Sequence, residues 1–333
     1  MSFINKIIAY FFLIKLLLIS NIYAENTEEG FNEWIKTYKK FAVEKGISKT
    51  TVDEVFLNVK FLNQVIKYDR KQPEFYEDTI TYVSKRANNL RIRKAQKLYK
   101  ENKKLFLEVE KKFLVEKEIL LALWGIETNF GKHVGKMDII SCLATLSYDK
   151  RRSDFFSNQL LILLNLVDKN LIDPKKHYGS WAGAFGNFQF MPSTIKNYAI
   201  DYDGNNKIQL KESIEDALAS AANYIKHIGW NINEPCFYRV KITKKIDDKF
   251  VNSSARNISN RLKFNEWKKK GIISFDGTEI KTNLKAALIL PDGTIDSPAY
   301  LVFKNYEKIL QWNRSLRFGL AVCTLKQKFE NEL

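Results

Sequence analysis

Histidine and cysteine are scarce. Three of each occur in 333 residues, and neither His133, His177 and His227 nor Cys142, Cys236 and Cys323 show the short paired spacing that holds zinc. The histidines therefore read as surface or packing residues. An odd, widely scattered set of cysteines also excludes a dense disulfide framework. At most one bridge can form, and the expectation is that all three are buried as small apolar residues. Proline is rare, with 6 residues, and no Pro- or Ser-rich linker or internal repeat divides the chain. Acidic residues are outnumbered, 38 to 54, for a net charge of +16. Such an excess suits a polyanionic partner, although a general bias towards Lys, Asn and Ile accounts for it equally well. Nucleic acid is not the expected polyanion, because no basic run is interleaved with aromatics as a strand-binding groove requires.

The N-terminus strengthens that exclusion. Lys6, an apolar stretch from Ile7 to Ile19, and Ala24 before the acidic Glu25-Asn26-Thr27-Glu28-Glu29 have the layout of a cleaved export signal over residues 1–24. An uncleaved anchor is the weaker alternative, because the apolar stretch is short for a span and Lys15 interrupts it. No cysteine follows the cleavage region, so a lipid anchor is not expected and the expected location is the periplasm. With 45% hydrophobic residues, the rest of the chain can bury a sizeable core in one large or two smaller domains.

Apolar residues recur at three- and four-residue spacing over Glu33 to Lys45, Ser48 to Leu57, Glu77 to Leu107, Glu116 to Glu127, Asp154 to Lys169, Pro192 to Ala199 and Ser213 to His227. Ser48 with Thr51, and Ser213 before Ile214-Glu215-Asp216, are helix starts, and Asp173-Pro174 is a stop. Residues 25–230 are thus expected to form a helical domain. Beyond Trp230 the pattern alternates in Phe237-Tyr238-Arg239-Val240-Lys241-Ile242, turns at Pro291-Asp292-Gly293-Thr294 and is β-rich from Ala299 to Phe303. Residues 231–333 read as a mixed α+β portion, closed by a helix from about Ser315 and packed on the helical part. The expected fold class is mainly α (α+β).

One acidic residue stands out. Ile119-Leu120-Leu121-Ala122-Leu123-Trp124-Gly125-Ile126 is apolar nearly all round, the mark of a buried helix, and it ends on Glu127. Apolar neighbours and the negative end of a helix dipole both disfavour an ionised carboxylate, so Glu127 is a candidate general acid. The plain alternative is a glutamate that begins a solvated loop.

Trp124-Gly125-Ile126-Glu127-Thr128-Asn129-Phe130-Gly131 resembles the catalytic segment of the lytic murein transglycosylase B family. Similar segments follow in the same order: Asp69-Arg70-Lys71-Gln72-Pro73-Glu74-Phe75, Leu143-Ala144-Thr145-Leu146-Ser147-Tyr148, Arg151-Arg152 with Phe155-Phe156, and Gly179-Ser180-Trp181-Ala182-Gly183-Ala184-Phe185-Gly186-Asn187-Phe188-Gln189-Phe190-Met191-Pro192-Ser193. The likeness runs from about residue 31 to the C-terminus and is weaker after Trp230. It implies a lysozyme-like helical catalytic domain and an enzyme of the bacterial wall. That enzyme breaks the β-1,4 bond between N-acetylmuramic acid and N-acetylglucosamine and leaves a 1,6-anhydro end, with Glu127 as sole acid and base. Ordinary glycosidases need two carboxylates.

The resemblance also places Ser180, Gln189 and Ser193 near the substrate, with Phe188 and Phe190 packed nearby. It sets Trp312 and Asn313 beside the catalytic carboxyl, although Trp312 and Phe318 stand where the family has tyrosines. Arg151 and Arg152 suit the carboxylates of a wall peptide or lactyl group. The implied partner is peptidoglycan glycan strands, with no nucleic acid, possible association with wall-remodelling proteins, and a monomeric chain. A water-consuming muramidase and a non-catalytic wall-binding protein are the alternatives.

Asp201-Tyr202-Asp203-Gly204-Asn205-Asn206-Lys207-Ile208-Gln209-Leu210-Lys211-Glu212 has the spacing of a calcium-binding EF-hand loop, with Asn206 where that loop usually has glycine. Asp201, Asp203, Asn205, the Lys207 carbonyl and Glu212 are the candidate ligands. An Asx-rich turn between helices is the alternative. The resemblance includes one such site here, so one structural calcium ion is the expected cofactor and no catalytic one is.

Overall fold

The computed structural model describes residues 26–71, 76–173 and 178–332. The expected export signal, Gln72-Pro73-Glu74-Phe75, and Pro174 of the expected helix stop lie outside the described residues. Among the described residues, no helix is long and apolar enough to cross a membrane.

The chain is mainly helical with a smaller sheet, as the fold class predicts. Helices Glu28–Glu44, Lys49–Val55, Lys117–Thr128, Ser153–Asp168, Pro192–Tyr198, Ile214–His227 and Leu316–Glu332 fall where hydrophobic spacing puts them. The Ser48 hydroxyl accepts from Thr51 N at 3.2 Å and the Ser213 hydroxyl from Asp216 N at 3.1 Å, so both are N-caps. The long helix expected from Glu77 to Leu107 is instead three: Thr79–Arg86, Asn89–Glu101 and Lys103–Phe113. Asn88 explains the first break, because its side chain accepts from Arg91 N at 3.1 Å and starts a new helix. Helices Asn63–Arg70, Ile139–Tyr148 and Lys304–Trp312 are additional. Residues 139–147 are all buried, so this helix has no polar face and no period to read.

Strands β3 (Phe237–Ile242), β4 (Val251–Asn252), β5 (Leu262–Lys263), β6 (Ile272–Ser274), β7 (Lys285–Ile289) and β8 (Ala299–Val302) form one sheet, ordered β4-β7-β8-β3-β6, with β5 also on β7. A separate two-residue pair, β1 (Met137–Asp138) and β2 (Tyr178–Gly179), lies in the helical part. Alternation along β7 and β8 divides the large sheet's faces. Ala287, Ile289, Tyr300 and Val302 join the main core with the helices, while Ala286, Leu288, Ala299 and Leu301 pack with Trp267, Val240 and Ile272 in a second, smaller core. The sheet is therefore apolar on both sides and fixed to the helical body. The Asp292 carboxylate reinforces this, accepting from Thr79 N at 3.1 Å and from an Arg317 guanidinium nitrogen at 2.7 Å.

Cys236 and Cys323 form a disulfide across 87 residues, with Cα atoms 6.0 Å apart. This corrects the expectation of three unpaired thiols: the fold brings the start of β3 against the C-terminal helix, a long-range approach that no local spacing reveals. Cys142 is free and buried as expected, and burial pushes its thiol up to about 12.

Candidate active site

The Lys117–Thr128 helix is buried from Glu118 to Gly125 and ends in a tight turn. Asn129, Phe130 and Gly131 all take left-handed backbone, with φ of 51°, 59° and 78°. For Phe130 this conformation is costly, about 1 kcal/mol or more. Packing holds it there: its ring meets Trp124 edge-on at 5.6 Å and lies over Gly125, where an added Cβ would come within 2.9 Å of the ring. Gly131 tolerates no side chain either, since a Cβ would sit 2.7 Å from the Asn187 amide oxygen. Glu127 projects from the last helical turn, half-buried, and its Oε1 accepts a 2.8 Å hydrogen bond from the Trp312 indole N–H. An indole can only donate, so Oε1 is the acceptor of this bond.

Trp312 ends the Lys304–Trp312 helix and stands in a wall of rings. Tyr224 stacks on it at 4.9 Å, and Phe190 and Phe188 meet it at 5.3 and 6.3 Å. The Trp312 indole N–H thus reaches the carboxyl from within this wall. Phe318, by contrast, is buried in the core. Asn313 follows Trp312 as the helix C-cap, half-buried, with its N–H on Ile309 O at 3.1 Å.

The loop from Gly179 to Met191 closes on itself through paired Phe185 and Phe190 backbone bonds of 3.1 and 2.9 Å. Ser180 Oγ accepts from Ala184 N at 3.1 Å, which fixes the hydroxyl oxygen and leaves its hydrogen to donate. Gln189, at φ 50°, spends its amide N–H groups on Val134 O and Gly186 O at 3.1 and 3.0 Å. Ser193 has its N–H held by buried Gln159 at 2.9 Å and starts a helix.

Asn187 binds the parts together, and residue types alone did not single it out. Its Oδ1 accepts from Trp124 Nε1 at 2.9 Å, its Nδ2 donates to Leu210 O and Lys211 O at 3.1 Å each, and its own carbonyl accepts from Thr128 Oγ1 at 2.8 Å. Catalytic helix, glycine loop and acidic loop therefore share one buried amide.

Arg151 and Arg152 are already engaged. Both grip buried Asp69, Arg151 through Nε at 2.7 Å and Arg152 through a terminal nitrogen, while Arg70 pairs with buried Asp149 at 2.9 Å. These pairs hold the Asn63–Arg70 helix against the end of Ile139–Tyr148. A ligand carboxylate would have to share the guanidinium of Arg151, which is 46% exposed, rather than find it vacant.

In the acidic loop, Asp201 accepts from Gly204 N, Asn205 N and Asn206 N at 2.7 to 3.1 Å, and Asn206 takes φ 64°, the left-handed turn that glycine usually provides. Carboxylate oxygens of Asp201, Asp203 and Asp216 lie within 4.8 Å of one another. Three carboxylates and no nitrogen or sulfur suit a hard cation such as calcium. The spacing put Glu212 at the closing position; Glu212 is exposed, and the third carboxylate that converges with Asp201 and Asp203 is Asp216. The reason is that the following helix starts only at Ile214, so its first turn, not the loop's last residue, faces inward. Asp216 is fully buried and burial raises its pKa, while its oxygens accept from Tyr202 N at 2.7 Å and Gln209 N at 2.9 Å.

Comparison with known proteins accords with this geometry. Residues 30–327 match the transglycosylase SLT domain family. The chain belongs to that family. Over 117 residues it is 43% identical to the membrane-bound lytic murein transglycosylase B of Escherichia coli, a stretch that is 35% of this chain and about a third (32%) of that relative. Across 91% of this chain and 80% of the other, it superposes on SltB3 from Pseudomonas aeruginosa in complex with NAG-anhNAM-pentapeptide, with 33% identity and a TM-score of 0.81. The Escherichia coli lytic transglycosylase Slt35 in complex with calcium shares the fold at 24% identity and a TM-score of 0.75, over 89% of this chain and 92% of that one. The resemblance read from the motifs around Glu127 is thus borne out at the level of the transglycosylase family.

Proposed function

We propose that this transglycosylase-family chain cleaves the β-1,4 bond between N-acetylmuramic acid and N-acetylglucosamine in peptidoglycan, without consuming water. Glu127 donates its carboxyl proton to the glycosidic oxygen as the bond from muramic acid C1 breaks and the electron pair passes to the departing N-acetylglucosamine. The substrate's acetamido group steadies the positive charge that develops at C1. The Glu127 carboxylate then takes the proton of the muramic acid C6 hydroxyl as that oxygen attacks C1, closing the 1,6-anhydro ring. The acid is restored, and the two products together contain the atoms of the substrate. The observation that carries this reading is the half-buried Glu127 carboxyl at the end of a buried helix, oriented by the Trp312 indole on Oε1.

Ser180, through its hydrogen, and Gln189, through its carbonyl, would hold the sugar acetamido or hydroxyl groups, with Asn313 beside them. Arg151, the more exposed of the two arginines, and Arg152 would pair a peptide carboxylate while holding Asp69, and Ser193 would add a hydroxyl at the end of the loop. The sheet portion of residues 231–333 would complete the cleft through Trp312. Asp201, Asp203 and Asp216, aided by Asn205 and the Lys207 carbonyl, would hold one calcium ion, whose chemistry is to neutralise the clustered charge and stiffen the loop. An export signal over residues 1–24 and a periplasmic, monomeric enzyme working on wall strands complete the reading.

The deciding measurement is mass spectrometry of soluble products from purified peptidoglycan. Wild-type chain should release anhydromuropeptides, and Glu127→Gln should lose activity by at least about a thousandfold. Reducing ends in place of anhydro ends would make the chain a hydrolase; no release by a folded, wall-binding chain would end the enzyme reading.

A further inference from the structure

The backbone that carries Glu127 is gripped by a helix with no other part in the site. Arg91 Nε donates to Gly125 O at 3.0 Å, two residues before Glu127, and Lys94 Nζ donates to Asn129 O at 2.7 Å, two residues after it. Three apart on the Asn89–Glu101 helix, the two cations lie on one face. Arg91 is anchored in turn, its NH1 donating to Lys85 O at 3.0 Å, and Lys94 also covers the Phe130 ring at 5.5 Å.

This grip falls on backbone that has reason to move. Asn129, Phe130 and Gly131 are three consecutive left-handed residues, and the last carbonyls of a helix are its negative end. Desolvation by partial burial lowers the pKa of both cations, and the carbonyl bonds return part of that cost. On the other side of the turn, Thr128 and Asn187 hold Gly131 N and the glycine loop. The segment from 125 to 129 is thus fixed from two directions, with the Glu127 side chain between them.

We propose that Arg91 and Lys94 are positioning residues for the reaction: by clamping the carbonyls two residues before and after Glu127, they hold its carboxyl in place as it changes from acid to carboxylate. Neither touches substrate. The proposal rests on the lytic reading above, and it differs from simple stapling of two helices in what it predicts for turnover.

The test uses the mature chain on soluble glycan strands, with product formation followed as a function of substrate concentration and stability followed by urea denaturation. Lys94→Met and Arg91→Gln should each lower kcat by at least about tenfold, because a small misplacement of a catalytic group is costly, and change KM by less than about twofold. Lys94→Arg should recover most of the loss. Lys97→Met, an exposed neighbour on the same helix, should match wild type. Variants that lose stability but keep kcat within twofold, a loss confined to KM, or Lys94→Arg as poor as Lys94→Met would overturn the proposal while leaving the lytic reading intact. A wild-type chain that cuts no strands would overturn both.

Discussion

Two turns in this molecule solve the same backbone problem by opposite means. The turn after Glu127 and the loop from Asp201 to Glu212 each contain left-handed residues that lack the freedom of glycine, Asn129 and Phe130 in one and Asn206 in the other. The first is packed by Trp124 and Phe130 and held by donors on its carbonyls. The second is wound by carboxylate and amide oxygens accepting its N–H groups, and these leave three acids converging. A turn closed by rings and cations is complete in itself. A turn closed by carboxylates gathers negative charge that a cation would neutralise.

Asn187 lies between the two, so breaking it should have the largest effect on stability. Asn187→Ala leaves the Trp124 indole and the Lys211 carbonyl without their buried partner and removes one of the two donors to Leu210 O, whose bond from the residue 187 backbone N–H remains. Leaving such groups unsatisfied should cost about 3 kcal/mol. Urea denaturation should show a lower midpoint with an unchanged slope, and wall-cleaving activity should fall with it. Asn187→Asp sharpens the comparison, because it keeps the acceptor for Trp124 but sets a carboxylate against two carbonyls. If it were as stable as wild type, the donors to the acidic loop would not be what joins the two regions.

Trp312→Phe tests the catalytic turn alone. It keeps a ring against Tyr224 and Phe190 and removes only the donor to Glu127 Oε1. A hydrogen bond to a charged group is worth about 1.5–3 kcal/mol, so turnover should drop about ten- to a hundredfold with stability nearly unchanged. Unchanged turnover would mean that the indole packs beside the acid without directing it.

The same contrast explains what could be read from residues in order. Glu127 was legible because an apolar run of eight residues must be buried and it ends on a carboxylate. The Ile139–Tyr148 helix was not, because burial on every side erases the period that marks a helix. The Asp201 loop was legible in its first half, where ligands alternate along the chain, and misread at its close, where Asp216 is already a helical residue. Asn187 sat inside a recognisable motif without a visible role. Arg91 and Lys94 looked like two cations among many, since donation to a distant backbone carbonyl leaves no mark in sequence. The Cys236–Cys323 bridge was hidden for the same reason.

Calcium should act on the acidic loop and leave the catalytic turn nearly untouched. Binding to the folded chain alone stabilises it by about 2.7 kcal/mol when the free ion is at a hundred times its dissociation constant. The thermal midpoint of the mature chain should therefore rise with added calcium and fall again with a chelator, while kcat at low temperature changes by less than about twofold. Asp203→Asn removes one of the three converging carboxylates, and Ser213 can still donate to its side-chain oxygen. That variant should need more calcium for the same rise and should be as active as wild type at low temperature. Glu212→Gln should behave as wild type in both respects, because its side chain stands in solvent. A midpoint indifferent to calcium would show that the backbone N–H groups already suffice for these carboxylates. An equal loss in Glu212→Gln and Asp203→Asn would return the closing position to Glu212, and with it the shorter loop that the spacing alone suggests.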